Sequence, residues 1–317
     1  MNRVQGAQAC RAVPHRPVRP PSMRLLVQHR STWRYPVAAT LGPHLIRLRP
    51  ASHTRVAIDG YRLDVTPAGE VRWLHDPTGN HVARLTFPTD ARVEALEVAV
   101  RFECDVRTVN PFDFMVDARC ITAPFEYPRE LHPDLAAVLD RTDPALSVGA
   151  RFDTFLSVLP TAGDTVQLLV QLNAAVHRAI TYVEREEPGI WAPEVTLAAS
   201  RGSCRDSAVL LMAVLRHRGI AARFVSGYLV QLAHEAPIAG EASLVPEDSV
   251  ALHAWAEAYL PGAGWIGLDA TSGLLCGEGH IPLACTSSPA LAAPVDGTSD
   301  AIAASVHFTM QVERLST

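Results

Sequence analysis

Residues 201–219 read RGSCRDSAVLLMAVLRHRG, a polar, glycine-containing turn that runs straight into an apolar stretch. Ser203 suits an N-cap and Gly219 a C-cap, so the segment from Cys204 to about His217 is predicted to be a helix with the thiol in its first turn. A structural cysteine packs as a small hydrophobe and belongs inside the apolar run. At a helix N-terminus the macrodipole favours the thiolate, which is the nucleophilic form, and a nearby imidazolium lowers the thiol pKa further. The stretch therefore requires a histidine from elsewhere in the chain.

Residues 249–274, SVALHAWAEAYLPGAGWIGLDATSGL, supply one. His253, Trp255, Glu257 and Tyr259 alternate with Ala254, Ala256 and Ala258, which predicts a strand with one bulky face and one small face able to admit the cysteine helix. Pro261-Gly262-Ala263-Gly264 reads as a hairpin turn and Trp265–Asp269 as the return strand. With the loop centred on Gly262, Asp269 lies opposite Trp255, diagonal to His253 and on the same face. Cβ atoms at that offset are about 7–8 Å apart, close enough for a carboxylate to hold an imidazole. An even-length register would turn Asp269 away. Cys204, His253 and Asp269 thus become candidates for nucleophile, base and orienting group.

Outward from this centre, Arg24 to about Arg107 reads as β structure. Leu96, Val98, Val100, Phe102, Cys104 and Val106 share one face of a long strand, Tyr61, Leu63 and Val65 repeat the alternation, and Asp76-Pro77-Thr78-Gly79-Asn80 supplies a turn. Successive strands with short turns predict an antiparallel sandwich. Prolines from Pro111 to Pro160 break any long element and leave an irregular connector with short helices. Thr165–Glu184 has helical periodicity opened by Asp164 as cap. Here His177 reads as a packed or surface residue, and Trp191 and Gln167 as packing residues. Pro282–Asp300 reads as a surface linker, and Ala301–Glu313 contains a terminal strand expected to return to the β domain.

The 317 residues suffice for two domains, and 48% hydrophobic with 19% charged residues describes a folded chain with a substantial core. A balance of 28 Lys and Arg against 33 Asp and Glu, without a basic cluster, argues against a nucleic-acid surface or an anionic membrane. The apolar run Ala208–Leu215 is far short of the roughly 20 residues of a spanning helix. Six scattered cysteines show no zinc-ligand spacing, so mostly free thiols, no metal and no cofactor are expected. Residues 1–22 are rich in Arg and Pro and lack the apolar core of a signal peptide; a disordered tail and a cytoplasmic location are expected.

The segments GSCRDSAVLLMAVLRHRGIAARFVSGYLVQL and LHAWAEAYLPGAGWIGLDATSGL resemble the core of the transglutaminase-like superfamily, in particular its bacterial transglutaminase-like cysteine protease branch. LLVQHRSTWRYPVAATLGPHLIRLRP, WLHDPTGNHVARLTFP and NPFDF are similar to that branch's N-terminal β domain, and GEGHIPLA to its loop after the triad. The resemblance implies an α+β fold, an N-terminal antiparallel β-sandwich followed by a papain-like core, with Cys204, His253 and Asp269 as the triad. Two departures are Asp269-Ala270-Thr271 in place of the usual Asp-Pro-Thr, and Ala256 after Trp255. The division expected is a tail at 1–22, a β domain at 23–120, a connector at 121–160, the catalytic core at 161–285, and a linker with its terminal strand at 286–317.

Such a triad attacks a peptide or isopeptide amide and forms an acyl-thioester, which water resolves in a peptidase or amidase and an amine resolves in a transamidase. The expected partner is a peptide or protein amide substrate, and the resemblance adds ATP-grasp peptide-ligase proteins as functional neighbours. Two rival readings are an arylamine-type N-acetyltransferase, against which the β domain and the hairpin speak, and a non-catalytic peptide-binding module.

Overall fold

The computed structural model describes residues 22–185, 187–233 and 247–316. Residues 1–21 of the expected tail lie outside them, and Ser22 opens the first strand.

The N-terminal strands are β1 (Ser22–Ala39), β2 (Leu41–Ile46), β3 (Ala57–Thr66), β4 (Glu70–His75), β5 (His81–Thr86) and β6 (Val93–Arg107). The alternation in β6 is realised: Leu96, Val98, Val100, Phe102, Cys104 and Val106 are all buried. At the turn between β4 and β5, Asp76 Oδ1 accepts the Thr78 and Asn80 N–H groups at 2.9 and 3.0 Å, which closes the loop without φ strain on either residue. Two four-stranded antiparallel sheets result, and each takes its edge strand from the far end of the chain. β12 (Ser305–Arg314) pairs with β1, in the order β12-β1-β6-β3, and β11 (Val295–Ser299) pairs with β2, in the order β11-β2-β5-β4.

The linker expected over Pro282–Asp300 is therefore corrected. Its first residues belong to β10 (His280–Thr286) and its last to β11. β11 is short, carries Gly297 and is mostly exposed, so no apolar alternation announced it. Within β12, Val306 and Phe308 are exposed, and Met310 and Val312 on the same face are half-buried.

The core is built on a five-stranded antiparallel sheet containing β7 (Ala222–Gln231), β8 (Ser249–Leu260) and β9 (Gly264–Asp269). Their order is Leu274–Leu275, β9, β8, β7, β10. Its helices are α1 (His132–Leu139), α2 (Ala150–Ser157), α3 (Thr165–Ala179), α4 (Pro193–Ala199) and α5 (Cys204–His217). Residues Ala208–Leu215 of α5 are essentially inaccessible, as befits a helix apolar on all sides. They pack with Ala254, Ala256 and Ala258 of β8 and with Leu168, Leu169, Leu172 and Val176 of α3. Each fully buried Leu, Val or Met contributes roughly 1.5–3 kcal/mol. The connector joins this core through Leu146, Phe152 and Leu159. At the other end of α5, buried Arg216 donates to the carbonyls of Asp140, Ala222 and Ser287, and burial pushes its pKa down to about 10.

The helix expected over Thr165–Glu184 stops at Ala179. Ile180 is extended, at φ −120°, and Thr181–Tyr182 pair in parallel with Arg201–Gly202. The β-branched pair Ile180-Thr181 favours this outcome over another helical turn.

The sandwich and the core share one apolar cluster, in which Leu25, Val27 and Phe102 meet Tyr228, Ile281 and Leu283. Burial pushes His29 down to about 4, and this neutral ring bridges Tyr228 Oη and Ser31 Oγ at 2.8 Å each. Asn80 extends its side chain as one rung of a ladder: Nδ2 donates to the Cys285 carbonyl at 3.1 Å, and Oδ1 accepts the Cys285 N–H at 2.8 Å. Asn80→Ala leaves both buried backbone groups without their partner. It is expected to lower the unfolding free energy by about 1–3 kcal/mol in a chemical denaturation experiment.

Candidate active site

The site is assembled from the start of α5, the end of the β8–β9 hairpin and the beginning of β10. Ser203 precedes α5 in extended conformation, and Cys204 is the first helical residue, half-buried. The helix start is fixed from beneath by Asp206, which is wholly buried. Its Oδ2 accepts the Ser203 N–H at 2.9 Å and the Ser203 hydroxyl at 2.8 Å. Its Oδ1 accepts the Trp191 N–H at 2.8 Å and Arg185 Nη2 at 2.9 Å. Burial alone would raise this carboxyl, but the donors from Arg185, Trp191 and Ser203 outweigh it and hold the group below its ordinary range. The Arg185 guanidinium lies 4.8 Å over the Trp191 ring, and Arg205 Nη2 donates to the Arg185 carbonyl at 2.9 Å. Arg205, Asp206 and Trp191 are thereby tied into the wall that positions the thiol. Gln167 is exposed on the first turn of α3.

The hairpin has the register expected of it. Leu260 pairs with Gly264 and Ala256 with Leu268, and the same register, carried one step past the last recorded pair, sets Trp255 opposite Asp269. Gly262 and Gly264 take φ of +87° and +78° in the turn, a region that suits glycine. His253 and Asp269 consequently meet on one face, with Nε2 3.2 Å from Oδ1. The contact is short but obliquely aligned, because Nε2 has no well-directed hydrogen bond. We regard it as an ion-pair contact first and a hydrogen bond second. With Nε2 turned to the carboxylate, Nδ1 is the ring nitrogen left for the thiol, and Cys204 is near enough to act on the ring's ionisation. Burial alone would lower the imidazole, but the neighbouring Asp269 and Cys204 override it and raise the His253 pKa to about 9. Burial likewise opposes ionisation of Asp269, and His253 and His280 reverse this to hold its carboxyl far below the usual range.

The loop after Asp269 is held from three sides. The carboxylate accepts the Thr271 N–H at 2.8 Å and the Ser272 hydroxyl at 3.0 Å. His177 Nδ1 lies 2.8 Å from the Thr271 carbonyl, and Asn173 Nδ2 donates to the Leu274 carbonyl at 3.0 Å. The alanine at position 270 therefore stands in a turn fixed by its neighbours. Beneath the ring pair, Trp255 stacks on His253 with centroids 6.3 Å apart. The indole crosses β7 where only glycine leaves room, since a Cβ on Gly227 would fall 2.4 Å from Trp255 Cη2.

One participant was not assigned from the sequence. His280, at the start of β10, places Nε2 3.4 Å from Asp269 Oδ2 and sits edge-on to Trp255 with centroids 5.2 Å apart. It belongs to the GEGHIPLA segment, and no spacing rule connects it to Asp269.

Two groups of side chains have metal-ligand spacing among the described residues: His253, Asp269 and His280, and a second group in which His53, between β2 and β3, meets Glu257 and Cys285 of the core sheet. In the second, Arg223 Nε already donates to Glu257 at 2.7 Å and Nη2 lies 3.3 Å from His53 Nε2, so a cation there would have to displace a guanidinium. Burial and the Glu257 charge also push the Cys285 thiol upward, away from the thiolate a metal requires. The five cysteines among the described residues are all free, and Cys10 lies outside them. No described helix is long and apolar enough to cross a membrane.

Residues 158–270 match the transglutaminase-like superfamily, and residues 25–105 match the bacterial transglutaminase-like N-terminal region. An uncharacterized protein of Mycobacterium tuberculosis strain H37Rv is 27% identical over 272 residues, covering 81% of this chain and 82% of that protein. An uncharacterized protein of Mycobacterium leprae is 27% identical over 295 residues, covering 86% and 92%. The crystal structure of a candidate cysteine protease from Cytophaga hutchinsonii superposes with a TM-score of 0.65 at 18% identity, over 94% of this chain and 92% of that one. At that identity the likeness establishes the shared fold.

Three shifted groups of the site, Asp206, Asp269 and His253, contribute to the pH dependence of stability. Asp206 and Asp269 ionise more readily folded than unfolded, so their contribution is full above the ordinary carboxylate range and is lost progressively as pH falls below it toward their depressed folded values. His253 has the opposite sign: its contribution is full below 6.5 and is lost as pH rises through about 9. Denaturation midpoints are expected to peak between these limits. Asp206→Asn should give a lower peak and a shallower acid decline.

Proposed function

With a transglutaminase-like core behind a bacterial transglutaminase-like N-terminal region as the premise, we propose that the chain is a cysteine-dependent peptidase or amidase acting through Cys204, His253 and Asp269. The reading rests on one observation. A thiol in the first turn of α5 lies within reach of a buried imidazole whose far nitrogen is 3.2 Å from a carboxylate.

In this mechanism the Cys204 thiolate, paired with the His253 imidazolium, attacks the carbonyl carbon of an amide and a C–S bond forms. The oxygen takes the negative charge. The Cys204 N–H is suited to receive it, because N–H groups in a first helical turn have no intrahelical acceptor. The Trp191 N–H is engaged with Asp206 and is not the second donor. His253 passes its Nδ1 proton to the departing amine, the C–N bond breaks and an acyl-thioester remains. The neutral ring then takes a proton from water, which attacks the thioester and releases the acid and the thiolate. An amine in place of that water would complete a transamidation by the same steps. Asp269 holds the ring and stabilises the imidazolium that both half-reactions use.

Wild-type protein is expected to show thiol-dependent hydrolysis of peptide-amide substrates and selective iodoacetamide labelling of Cys204. Cys204→Ala should lose both. His253→Ala and Asp269→Ala should fold and lose about 10²–10⁴ in kcat. Equal hydrolysis by wild type and Cys204→Ala would refute the proposal. Adding a primary amine separates the two acceptors, because hydrolysis leaves the product mass unchanged and transamidation shifts it.

A further inference from the structure

Asp269 uses both carboxylate oxygens. Oδ1 faces His253 and the Thr271 N–H, while Oδ2 accepts from the Ser272 hydroxyl and lies 3.4 Å from His280 Nε2. The tautomer of His280 follows from its other nitrogen. The Gly277 N–H donates to Nδ1 at 3.3 Å, so Nδ1 is the acceptor and the ring proton is on Nε2, pointing to Asp269. This excludes the simplest alternative for the cluster. A metal-bound imidazole offers the lone pair of one nitrogen and donates its other N–H to an acceptor, whereas here the far nitrogen faces a donor.

We infer that His280 is a positioning residue of the proposed triad: its Nε2–H fixes the outer oxygen of Asp269, so that the inner oxygen stays on His253. The inference rests on the Cys204–His253–Asp269 reading and extends it by one residue. The ring is held for this task from both sides, by the backbone of Gly277 and by the Trp255 indole, which also stacks on His253. Aligned donors matter here because the His253 contact with Asp269 is itself oblique. Rotation of the carboxylate would part the two groups, and His280 opposes it together with the Thr271 N–H and the Ser272 hydroxyl.

Removal of His280 could act in either of two directions. If His280 merely competes for the charge of Asp269, its loss strengthens the hold on His253. If it positions the carboxylate, its loss weakens that hold and the imidazolium gives up its proton at lower pH. The titratable groups around Asp269 are His253 on β8, Cys204 on α5, Tyr182 before α4, Cys276 in the turn after the hairpin, and His280 itself.

The test needs no substrate. Alkylation of Cys204 by iodoacetate, an anion drawn by the imidazolium, should rise as the thiolate forms and fall as His253 deprotonates. In wild type the alkaline limb is expected near about 9. His280→Leu, similar in bulk and lacking the donor, should move that limb down by about one unit, a tenfold change in the ring's ionisation constant. It should also lower kcat by about tenfold with KM unchanged. His280→Gln keeps an N–H at similar reach and should restore the wild-type limb. His280→Asn, too short to reach Asp269, should behave as Leu does and replaces it if the Leu variant does not fold. A limb in Leu and Asn that is unmoved or raised, beside a normal wild-type profile, would overturn the role of His280 and leave the triad standing. A wild-type profile with no alkaline fall would overturn the triad reading and the role of His280 with it.

Discussion

The site depends on the register of one hairpin. Side chains in a strand alternate between faces, so a slip of one residue between β8 and β9 would carry Asp269 across the sheet to the alanine side. Leu260 pairs with Gly264 and every later pair follows from that one. The turn is held at that length by Gly262 and Gly264, both in the left-handed region, and by the Ala263 N–H donating to the Leu260 carbonyl at 3.0 Å. The same parity places the three alanines of β8 against α5. Close approach of the helix and orientation of the carboxylate are thus two consequences of a single pairing.

The thiol depends on a second constraint, which acts on the helix rather than the sheet. An α-helix leaves its first N–H groups without internal partners, and an unanchored start frays. Here Asp206 spends one carboxylate on the Ser203 backbone, the Ser203 hydroxyl, the Trp191 backbone and Arg185. A buried carboxylate is tolerable only with that many donors. The cost is offset by what it fixes, since Arg185 and Trp191 are tied to the first turn of α5 and hold Cys204 in place.

Cys204, His253 and Asp269 were legible as candidates because each signal is local or follows from strand parity. A cap, a helix start, an alternating strand and a two-glycine turn are written in contiguous residues. The sandwich was legible in β6 for the same reason. His280 and Arg185 were not, because each acts on a residue far along the chain through tertiary placement alone. The anchoring by Asp206 was not legible either, since its donors Arg185 and Trp191 lie some 15 to 21 residues away. β11 escaped because an exposed edge strand needs no apolar alternation. The end of α3 was misjudged because its periodicity fades gradually, while the pairing of Thr181–Tyr182 that ends it is made with a later segment.

The sandwich bears on the site through β10. That strand pairs with β7 on the core side, and on the other it is held by groups of the N-terminal region: Asn80 on the Cys285 backbone, and the Ala51 N–H on the Pro282 carbonyl at 2.8 Å. Its first residue is His280, paired with Leu229 and preceded by Gly279, whose carbonyl accepts the Val230 N–H at 2.9 Å. A lone edge strand would present His280 to Asp269 with the freedom of its unpaired side. Clamped on both, it presents the ring from a rigid element, which is what a group working through hydrogen-bond geometry requires. The shared cluster of Phe102, Tyr228 and Ile281 adds the apolar half of the same clamp. In the role inferred for His280, the N-terminal region supports the proposed chemistry without touching it, by fixing the strand that carries the outermost donor to Asp269.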